Sequence, residues 1–479
     1  MSISAVPYRE FLHQKEAEFF SLIDQGVISP WLFPHDFLVL IIPILVLLIP
    51  NKGQAWVVAI RRTAFGLVCS LAIKNLLHTR CLTGGGTVIG FYYAFVVVWN
   101  AVFLLLKDVQ NECFRIERPP NGNLYWQGYP ESICHRLSWL LDMFGSLRGA
   151  GWNWRIPGLP PLPKVKSKDQ QAPTDGKELP QEAPSSTLLR SSFMRTARYY
   201  LVMDILKVLT MADPYFWGLI DAAPLYPLDR IYHVSPALLR LFRAVVTVLW
   251  IRTSMAFIAS TVPLIVSLAV TVCPSLLKWT SIPLDAPLLY PPLFNSFLDF
   301  KPVFDYGLDG WWGRRWHQAY RYAFSETARH LVPNLENKDM TRFLRHSVAF
   351  LLSGLVHFCA VHSHFVRPDS VHFGALAFFM LQPLGMLVQR KLRGVLFSEG
   401  SIFWRAFNIT STYAWLYLVI GPFCDELAAA GTWLYDEACP ISIIRGLGLI
   451  EGEGWFVGTR SYVRLWTGEE WWQTGIQIL

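Results

Sequence analysis

Runs of apolar residues long enough to cross a bilayer alternate with shorter polar segments along most of this chain. A helix that spans the hydrocarbon core needs about 20 mostly apolar residues. We predict single spans at Trp31 to Pro50, Trp56 to Leu77, Thr87 to Leu106, Phe343 to Phe365, Val371 to Val388 and Ile402 to Phe423. Leu238 to Leu277 is either one long bent helix or two spans, and we favour two. The pattern therefore predicts an all-α fold, a polytopic transmembrane helical bundle of about eight spans, with seven to nine allowed.

The segments between these runs are polar or amphipathic. Residues 157 to 192 are rich in Pro, Lys, Gln, Asp and Ser, and they cannot bury enough apolar surface to order themselves. We therefore predict a flexible polar loop there, within a single membrane domain that covers residues 1 to 479. Tyr199 to Met211 is a short amphipathic run, and Gly313 to Leu331 is typical of an amphipathic helix lying in the membrane interface.

Composition favours a membrane protein over a soluble one. Charged residues make up 16% of the chain, against roughly 25% in soluble proteins. Mean hydropathy is +0.32, and aromatic residues reach 15%. The net charge of +7 suits loops that face anionic lipid, but no dense basic stripe indicates a nucleic-acid partner. The eight cysteines are scattered and lack metal-ligand spacing, so we expect no metal site.

The segment DGWWGRRWHQAYR carries the first candidate chemistry. At 100° per residue, Arg314, His317 and Arg321 fall on one face of a helix. Arginine suits phosphate recognition because its planar fork can donate two hydrogen bonds at once. The plain alternative is a surface helix whose arginines contact lipid phosphates. In the functional interpretation, Arg314, Arg315 or Arg321 holds a substrate phosphate while His317 points into the site.

The second candidate is His357, in the apolar run FLLSGLVHFCAVHSH. We predict that it lies near the middle of a span, on a stripe that also carries Ser353 and Gly354. Small and polar residues on one stripe indicate a face turned into the bundle. Ionisable residues within a membrane are costly and therefore often functional. The alternative is a histidine that only hydrogen-bonds a neighbouring helix, whereas a neutral imidazole beside a hydroxyl group would serve as a general base.

Two further motifs carry weaker signals. Arg148 to Trp154, RGAGWNW, has two glycines that permit close backbone approach, yet a tight turn at the membrane surface explains it as well. His362 and His364 form an HxH pair that lacks a third ligand at sensible spacing, so we place it at the interface and expect no metal.

Three motifs together resemble the wax synthase-like branch of the membrane-bound O-acyltransferase superfamily. They are PPLFNSFLDF at Pro291 to Phe300, WWGRRWHQ at Trp311 to Gln318, and FLLSGLVHF at Phe350 to Phe358. RGAGW at Arg148 to Trp152 resembles a further motif of the fungal members, which often acetylate terpenoid or meroterpenoid alcohols in secondary metabolism. The pairing of GRRWHQ with SGLxH about forty residues later is the specific part of the likeness.

This resemblance implies a reaction chamber inside the bilayer and acyl transfer from acyl-CoA to a hydroxyl group. It implies that His357 is the catalytic base and that His317 is the second polar residue, at a position where plant wax synthases have Asn. Acetyl-CoA is then the expected co-substrate, with a lipophilic alcohol as acceptor and membrane lipid as the surroundings. We assign Arg314, Arg315, Arg321, Trp316 and Ser353 to substrate and CoA binding.

Two other functions remain open from the sequence, and so does the compartment. The first is a long-chain acyl-CoA:alcohol acyltransferase that makes wax or sterol esters. The second is a membrane transporter or channel, which would favour broken helices in paired repeats; we find no internal repeat. We expect the protein in the endoplasmic reticulum membrane.

Overall fold

The fold is seen in a computed structural model of the chain. It describes residues 3–4, 6–82, 86–117, 125–159, 185–272, 293, 299–364, 372–435, 441–451, 453–457, 463–467 and 474–478. Most of the predicted flexible loop, residues 160–184, lies outside the described residues, and so does most of the PPLFNSFLDF motif. Within the described part, helices predominate, as the apolar pattern predicted.

The helices are numbered here in chain order. They are α1 (Val6–Asp24), α2 (Leu38–Leu47), α3 (Ala55–His78), α4 (Thr87–Ala101), α5 (Val109–Glu112), α6 (Ile133–Gly145), α7 (Ser185–Met211), α8 (Asp229–Val234), α9 (Pro236–Val272), α10 (Lys301–Tyr306), α11 (Leu308–Gly310), α12 (Arg321–Leu331), α13 (Lys338–His362), α14 (Gly374–Leu396), α15 (Ile402–Ala429) and α16 (Ile443–Gly446). Two π-helical turns, Val102–Leu106 and Trp311–Arg315, extend α4 and α11, and 3₁₀ turns occupy His35–Phe37 and Pro214–Trp217.

Short strands join distant parts of the chain. They are β1 (Ile3–Ser4), β2 (Trp31–Phe33), β3 (Arg115–Glu117), β4 (Tyr125–Gln127), β5 (Ile450–Glu451), β6 (Val463–Thr467) and β7 (Thr474–Ile478). β2 pairs antiparallel with β7, which pairs antiparallel with β6, and β1 lies parallel to β5. The fold is thus mainly helical, with small sheets that the all-α prediction left out.

Four of the described helices are long and apolar enough to cross a membrane. They are Ala55–His78, Thr87–Leu106, Pro236–Ile265 and Lys338–His362. The predicted total of about eight is not confirmed. The first predicted span is wrong in its length, because α2 has only ten residues and reaches about 15 Å. The chain before it forms the strand β2 and a 3₁₀ turn instead.

The prediction of two spans in Leu238 to Leu277 is also wrong for the described part, where α9 is one continuous helix of 37 residues. Arg243 is a charged residue inside this apolar run. It forms a two-pronged ion pair with the buried carboxylate of Asp213, with both N···O distances at 2.9 Å. A charge that is paired within the protein does not have to mark the end of a helix.

The polar loop is shorter than predicted at its C-terminal side. Residues from Ser185 onward belong to α7, a helix of 27 residues that also contains the run Tyr199 to Met211. α7 packs along α9 over much of its length. That tertiary contact supplies the apolar burial that the local composition lacks.

α13 lies at the centre of the site, packed against α4, α12 and α14. Two glycines permit these close approaches. A Cβ at Gly90 of α4 would collide with the backbone carbonyl of Cys359, and one at Gly354 would lie 2.9 Å from Leu376 Cδ1. Small residues at such crossings let helix backbones come together. The SGLxH motif therefore places its histidine one turn after a tight contact between α13 and α14.

Candidate functional site

The imidazole of His357 points into the helix bundle. Its ring centre lies 4.2 Å from that of Phe379, 5.4 Å from that of Phe91 and 6.0 Å from that of Phe423. These rings come from α14, α4 and α15, so protein surrounds the imidazole on several sides. The side chain is nevertheless only half-buried, because part of its surface remains accessible. His357 lies five residues before the end of α13, so the predicted mid-span position is wrong.

A hydrogen bond fixes the proton on the His357 ring. Nδ1 lies 2.7 Å from the backbone carbonyl of Ser353, one turn earlier. A carbonyl oxygen can only accept, so Nδ1 must carry the proton and donate it. In the neutral ring, Nε2 then has the free lone pair that a general base needs. Ser353 thus contributes to the site through its backbone carbonyl.

The segment that carries His317 is not a helix. α11 runs into the π-helical turn Trp311–Arg315, and Trp316 is extended, with φ −74° and ψ 161°. A new helix begins only at Arg321. The predicted amphipathic helix over Gly313 to Leu331 is therefore confirmed only from Arg321 onward. Its first part is wrong, and Arg314, His317 and Arg321 do not share one helical face.

Side chains replace the backbone hydrogen bonds that this break removes. Gln318 Nε2 donates to the carbonyls of Trp312 at 2.8 Å and of Trp316 at 2.9 Å. Arg321 Nη1 donates to the carbonyl of Gly313 and to Gln318 Oε1, both at 2.8 Å. Buried carbonyls must be satisfied, so these contacts hold the irregular segment in one shape. Arg321 therefore uses Nη1 for hydrogen bonds within the protein.

Arg315 and Arg314 have different surroundings. Arg315 is 8% exposed, donates to the backbone carbonyl of Asp299 and stacks over the ring of Phe300, with its guanidinium carbon 4.1 Å from the ring centre. Arg314 is exposed and lies over the ring of Tyr306 at 4.3 Å. Of the three arginines assigned to CoA, only Arg314 presents its side chain to the outside. Their role in CoA binding stays a prediction.

His317 and His357 belong to one aromatic cluster. The His317 ring lies 5.4 Å from the ring of Tyr320, which lies 4.8 Å from the ring of Phe91, and Phe91 also contacts His357. Trp316 joins on the other side, 5.5 Å from His317. The structure therefore brings the two predicted catalytic histidines to opposite ends of a short chain of ring contacts.

Burial is the main reason that the pKa of His317 falls to about 3, and the electrostatic influence of His357 and Arg148 lowers it further. A histidine with that pKa is neutral at physiological pH. A neutral His317 ring can donate a hydrogen bond. Arg148 also shows that the RGAGWNW loop lies near this part of the site.

That loop is built on tryptophan packing. Trp152 is fully buried, and its ring centre lies 4.8 Å from that of Trp139. Trp154 lies 4.4 Å from Tyr322 of α12. Gly149 has a φ of +66°, and a side chain there would collide with Trp154. The motif is therefore a turn anchored on the helix that follows His317.

The HxH pair ends α13 and fastens it to α4. His364 Nε2 lies 2.9 Å from the Thr87 hydroxyl, and Ser363 Oγ accepts from the backbone N–H of Gly90 at 3.0 Å. His362 Nδ1 lies 2.9 Å from the carbonyl of Phe358. Across the described ranges, no three His, Cys, Asp or Glu side chains come together as a metal site would require.

A basic cleft opens at the other end of α13, and the sequence motifs gave no signal for it. It has a volume of about 690 Å³ and lies between α12, the following turn and α13. Its charged lining is entirely basic, and consists of Arg329, Lys338, Arg342, Arg345 and His346. Arg345 donates to the carbonyl of Val332. Lys338 and Arg342 are exposed, whereas Arg329 forms an ion pair with Glu326.

The profile described as the Membrane bound O-acyl transferase family matches residues 290–381, a stretch that contains both histidines. The chain resembles this family over that stretch, as the motifs predicted. It is accordingly an acyltransferase, and the transporter alternative is set aside. Because the family is integral to membranes, the apolar helices are best understood as membrane helices.

Curated fungal relatives of this acyltransferase are similar at low identity. Acetyltransferase ple2 of Rhodocybe pseudopiperita is 25% identical over 67% of this chain and 73% of its own length. Acetyltransferase eriL of Hericium erinaceus is 21% identical over 74% of this chain and 82% of its own. O-Mevalon transferase macI of Penicillium terrestre is 24% identical over 54% of this chain and 53% of its own. No solved structure matches the chain.

Proposed function

We propose that this acyltransferase moves an acetyl group from acetyl-CoA to a hydroxyl group of a hydrophobic secondary metabolite, of the terpenoid or meroterpenoid class, in the endoplasmic reticulum membrane. The observation that carries the proposal is the half-buried imidazole of His357, whose Nδ1 donates to the Ser353 carbonyl. The names of the relatives ple2 and eriL support acetyl as the transferred group.

In the proposed reaction, the acceptor enters from the bilayer and its hydroxyl group bonds to Nε2 of His357. Nε2 takes the hydroxyl proton as the oxygen attacks the thioester carbonyl. The carbon–sulfur bond then breaks, the ester is released, and the CoA thiolate takes the proton back from the imidazolium. The N–H of His317, or the indole N–H of Trp316, steadies the negative charge on the carbonyl oxygen. Donors of this kind commonly contribute about 10²–10³ in rate.

The basic cleft supports acyl-CoA as the donor. Eleven residues of α13 separate His346 from His357, which is about 17 Å along the helix axis. The pantetheine arm of CoA has the length of about four extended residues, roughly 14 Å. Phosphates held by Lys338, Arg342 or His346 would thus leave the thioester close to the imidazole. An excess of basic residues at this end of α13 is typical of the cytosolic side, where acetyl-CoA is supplied.

The proposal for the CoA phosphates therefore centres on the basic cleft, with Arg314 as the exposed member of the three arginines first assigned to CoA. Replacing Arg342 with Gln should raise the KM for acetyl-CoA about tenfold and change kcat little, because a phosphate contact binds ground state and transition state alike. Lys391→Gln is the matched control, since Lys391 is exposed and lies outside the cleft. A lowered kcat with an unchanged KM would contradict the assignment.

The function itself is tested in microsomes with labelled acetyl-CoA and a panel of lipophilic alcohols. The wild-type chain should form labelled ester, and His357→Ala at equal expression should lose at least about 10³ of the rate. Near-normal turnover by His357→Ala would remove this histidine from the mechanism. Absence of ester from acetyl-CoA, with ester formed from palmitoyl- or oleoyl-CoA, would favour the long-chain alternative.

A larger transferred group is the second candidate, because macI and a further relative carry the name O-Mevalon transferase. The same assay with a mevalonate-derived thioester separates the two. Preference for that donor over acetyl-CoA would change the identity of the acyl group and leave the roles of the two histidines as proposed.

A further inference from the structure

Three phenylalanine rings enclose the imidazole that the proposed reaction uses. Phe379 lies nearly parallel to the His357 ring, with an interplanar angle of 30°, while Phe91 and Phe423 present their edges at 86° and 81°. All three ring centres lie within 6.0 Å of the imidazole centre. A substrate group that binds next to Nε2 would therefore lie directly beside these rings.

Two of these rings cannot swing aside easily. Phe379 is 5% exposed and Phe423 is 6% exposed. Phe378 stacks on Phe423 at 5.2 Å and contacts Phe379 edge-on at 5.1 Å. The tight crossing at Gly354 keeps α14, and with it Phe379, against α13. Close-packed interiors of this kind resist the entry of additional methylene groups.

The geometry of acyl transfer puts the acyl group beside these rings. The attacking oxygen must lie within hydrogen-bond reach of Nε2, about 3 Å, and the thioester carbonyl carbon a further 3–3.5 Å from that oxygen. The alkyl part of the acyl group then begins at about the distance of the phenyl rings. A methyl group is small enough to stand between rings, whereas a longer chain would have to displace one.

We propose that Phe379 and Phe423 set the length of the donor, and admit acetyl while excluding acyl chains of six carbons or more. This inference rests on the proposed acyl transfer and names the residues that select its donor. The two rings act by shape, because neither can exchange a proton with the substrate. Phe91 stands on the remaining side of the imidazole and also contacts Tyr320.

The test compares acetyl-, butyryl- and hexanoyl-CoA as donors for Phe379→Ala and Phe423→Ala. We expect the ratio of kcat/KM for hexanoyl-CoA to that for acetyl-CoA to rise at least about tenfold in one or both variants. Phe216→Ala is the matched control, because this ring is also fully buried but contacts Tyr215 and Trp433 rather than the rings around the imidazole. It should leave the donor ratio within about twofold of wild type.

Phe379→Leu and Phe423→Leu, which preserve more of the packing, replace any alanine variant that fails to fold. Unchanged ratios in both positions, or an equal rise in Phe216→Ala, would overturn the inference. A wild-type chain that uses hexanoyl-CoA as well as acetyl-CoA would also overturn it, while the proposed function would stand. A wild-type chain that transfers no acyl group from any CoA thioester would instead refute the proposed function.

Discussion

The two histidines of the site are held in opposite ways. His357 lies on a regular helix, and its position follows from helix packing at Gly90 and Gly354. His317 lies on an irregular segment whose shape depends on hydrogen bonds from Gln318 and Arg321 to backbone carbonyls. One half of the site is thus specified by small residues at helix crossings, and the other by polar side chains that stand in for missing helix hydrogen bonds.

The comparison predicts which replacements of His317 are tolerated. His317→Ala should lower kcat for acetyl transfer by about 10²–10³, because a neutral donor to the oxyanion is lost. His317→Asn should stay within about tenfold of wild type, since its amide also donates without carrying charge. Acetyl transfer by purified variants measures both. Equal losses in the two variants would show that a side-chain N–H at this position is insufficient.

Weakening the irregular segment should affect catalysis more than binding. Gln318→Leu leaves the carbonyls of Trp312 and Trp316 without their side-chain donor, and each unsatisfied buried group costs about 1–3 kcal/mol. We expect a kcat about 10-fold to 10²-fold lower, because displacing His317 by about 1 Å is enough for such a loss. Gln14→Leu, at an exposed position, is the control. An unchanged kcat with a lowered melting temperature would limit Gln318 to stability.

Disrupting the helix crossing that positions His357 should lower the stability of the protein. Gly90→Ala brings a methyl group against the backbone carbonyl of Cys359, which cannot move without separating α4 from α13. Overpacking of this kind costs about 1–3 kcal/mol. Thermal unfolding in detergent should show a clearly lower midpoint. Gly66→Ala is the matched control, because a Cβ there has no neighbour within 4 Å, and its midpoint should not fall, since Ala favours a helix over Gly. A similar drop in both variants would show that the loss does not come from the crossing.

The smallest effect is expected at His362. Its Nδ1 bonds to the carbonyl of Phe358 just as Nδ1 of His357 bonds to that of Ser353. It lies at the end of the helix, away from the three rings around His357, and its ring packs on Phe358 at 4.0 Å. His362→Ala should retain acetyl transfer within about twofold. A loss comparable to that of His357→Ala would show that the position among the phenylalanine rings does not distinguish the base.

The sequence predicted the helical character and the inward orientation of His357 because both depend on local periodicity. The stripe of Ser353 and Gly354 signals a packed face, and that face does contact α14. The position along the span was predicted less well, because the end of α13 is set by the Ser363 and His364 bonds to α4. Contacts between elements that are distant in the chain cannot be recognised from the periodicity of apolar residues.

The irregular backbone around His317 could not be predicted from a pattern that assumes one continuous helix. WWGRRWHQ fits a helical wheel, and its spacing does not predict the π-helical turn or the extended Trp316. Gln318 was the available signal, because a long amide beside a run of aromatic residues can satisfy carbonyls that a broken helix exposes. The basic cleft was missed for another reason: its lining comes from two helices and the turn between them.

The tight crossing at Gly354 has a consequence for how such chains diverge. Position 354 and the side chains of Leu376 and Phe379 share one small volume, so enlarging one of them requires shrinking another. In descendants of the same ancestor, these positions should change as linked sets. A bulkier residue at 354 would be accompanied by a smaller one at 376 or 379. Each such exchange would change the shape of the protein surface beside the imidazole.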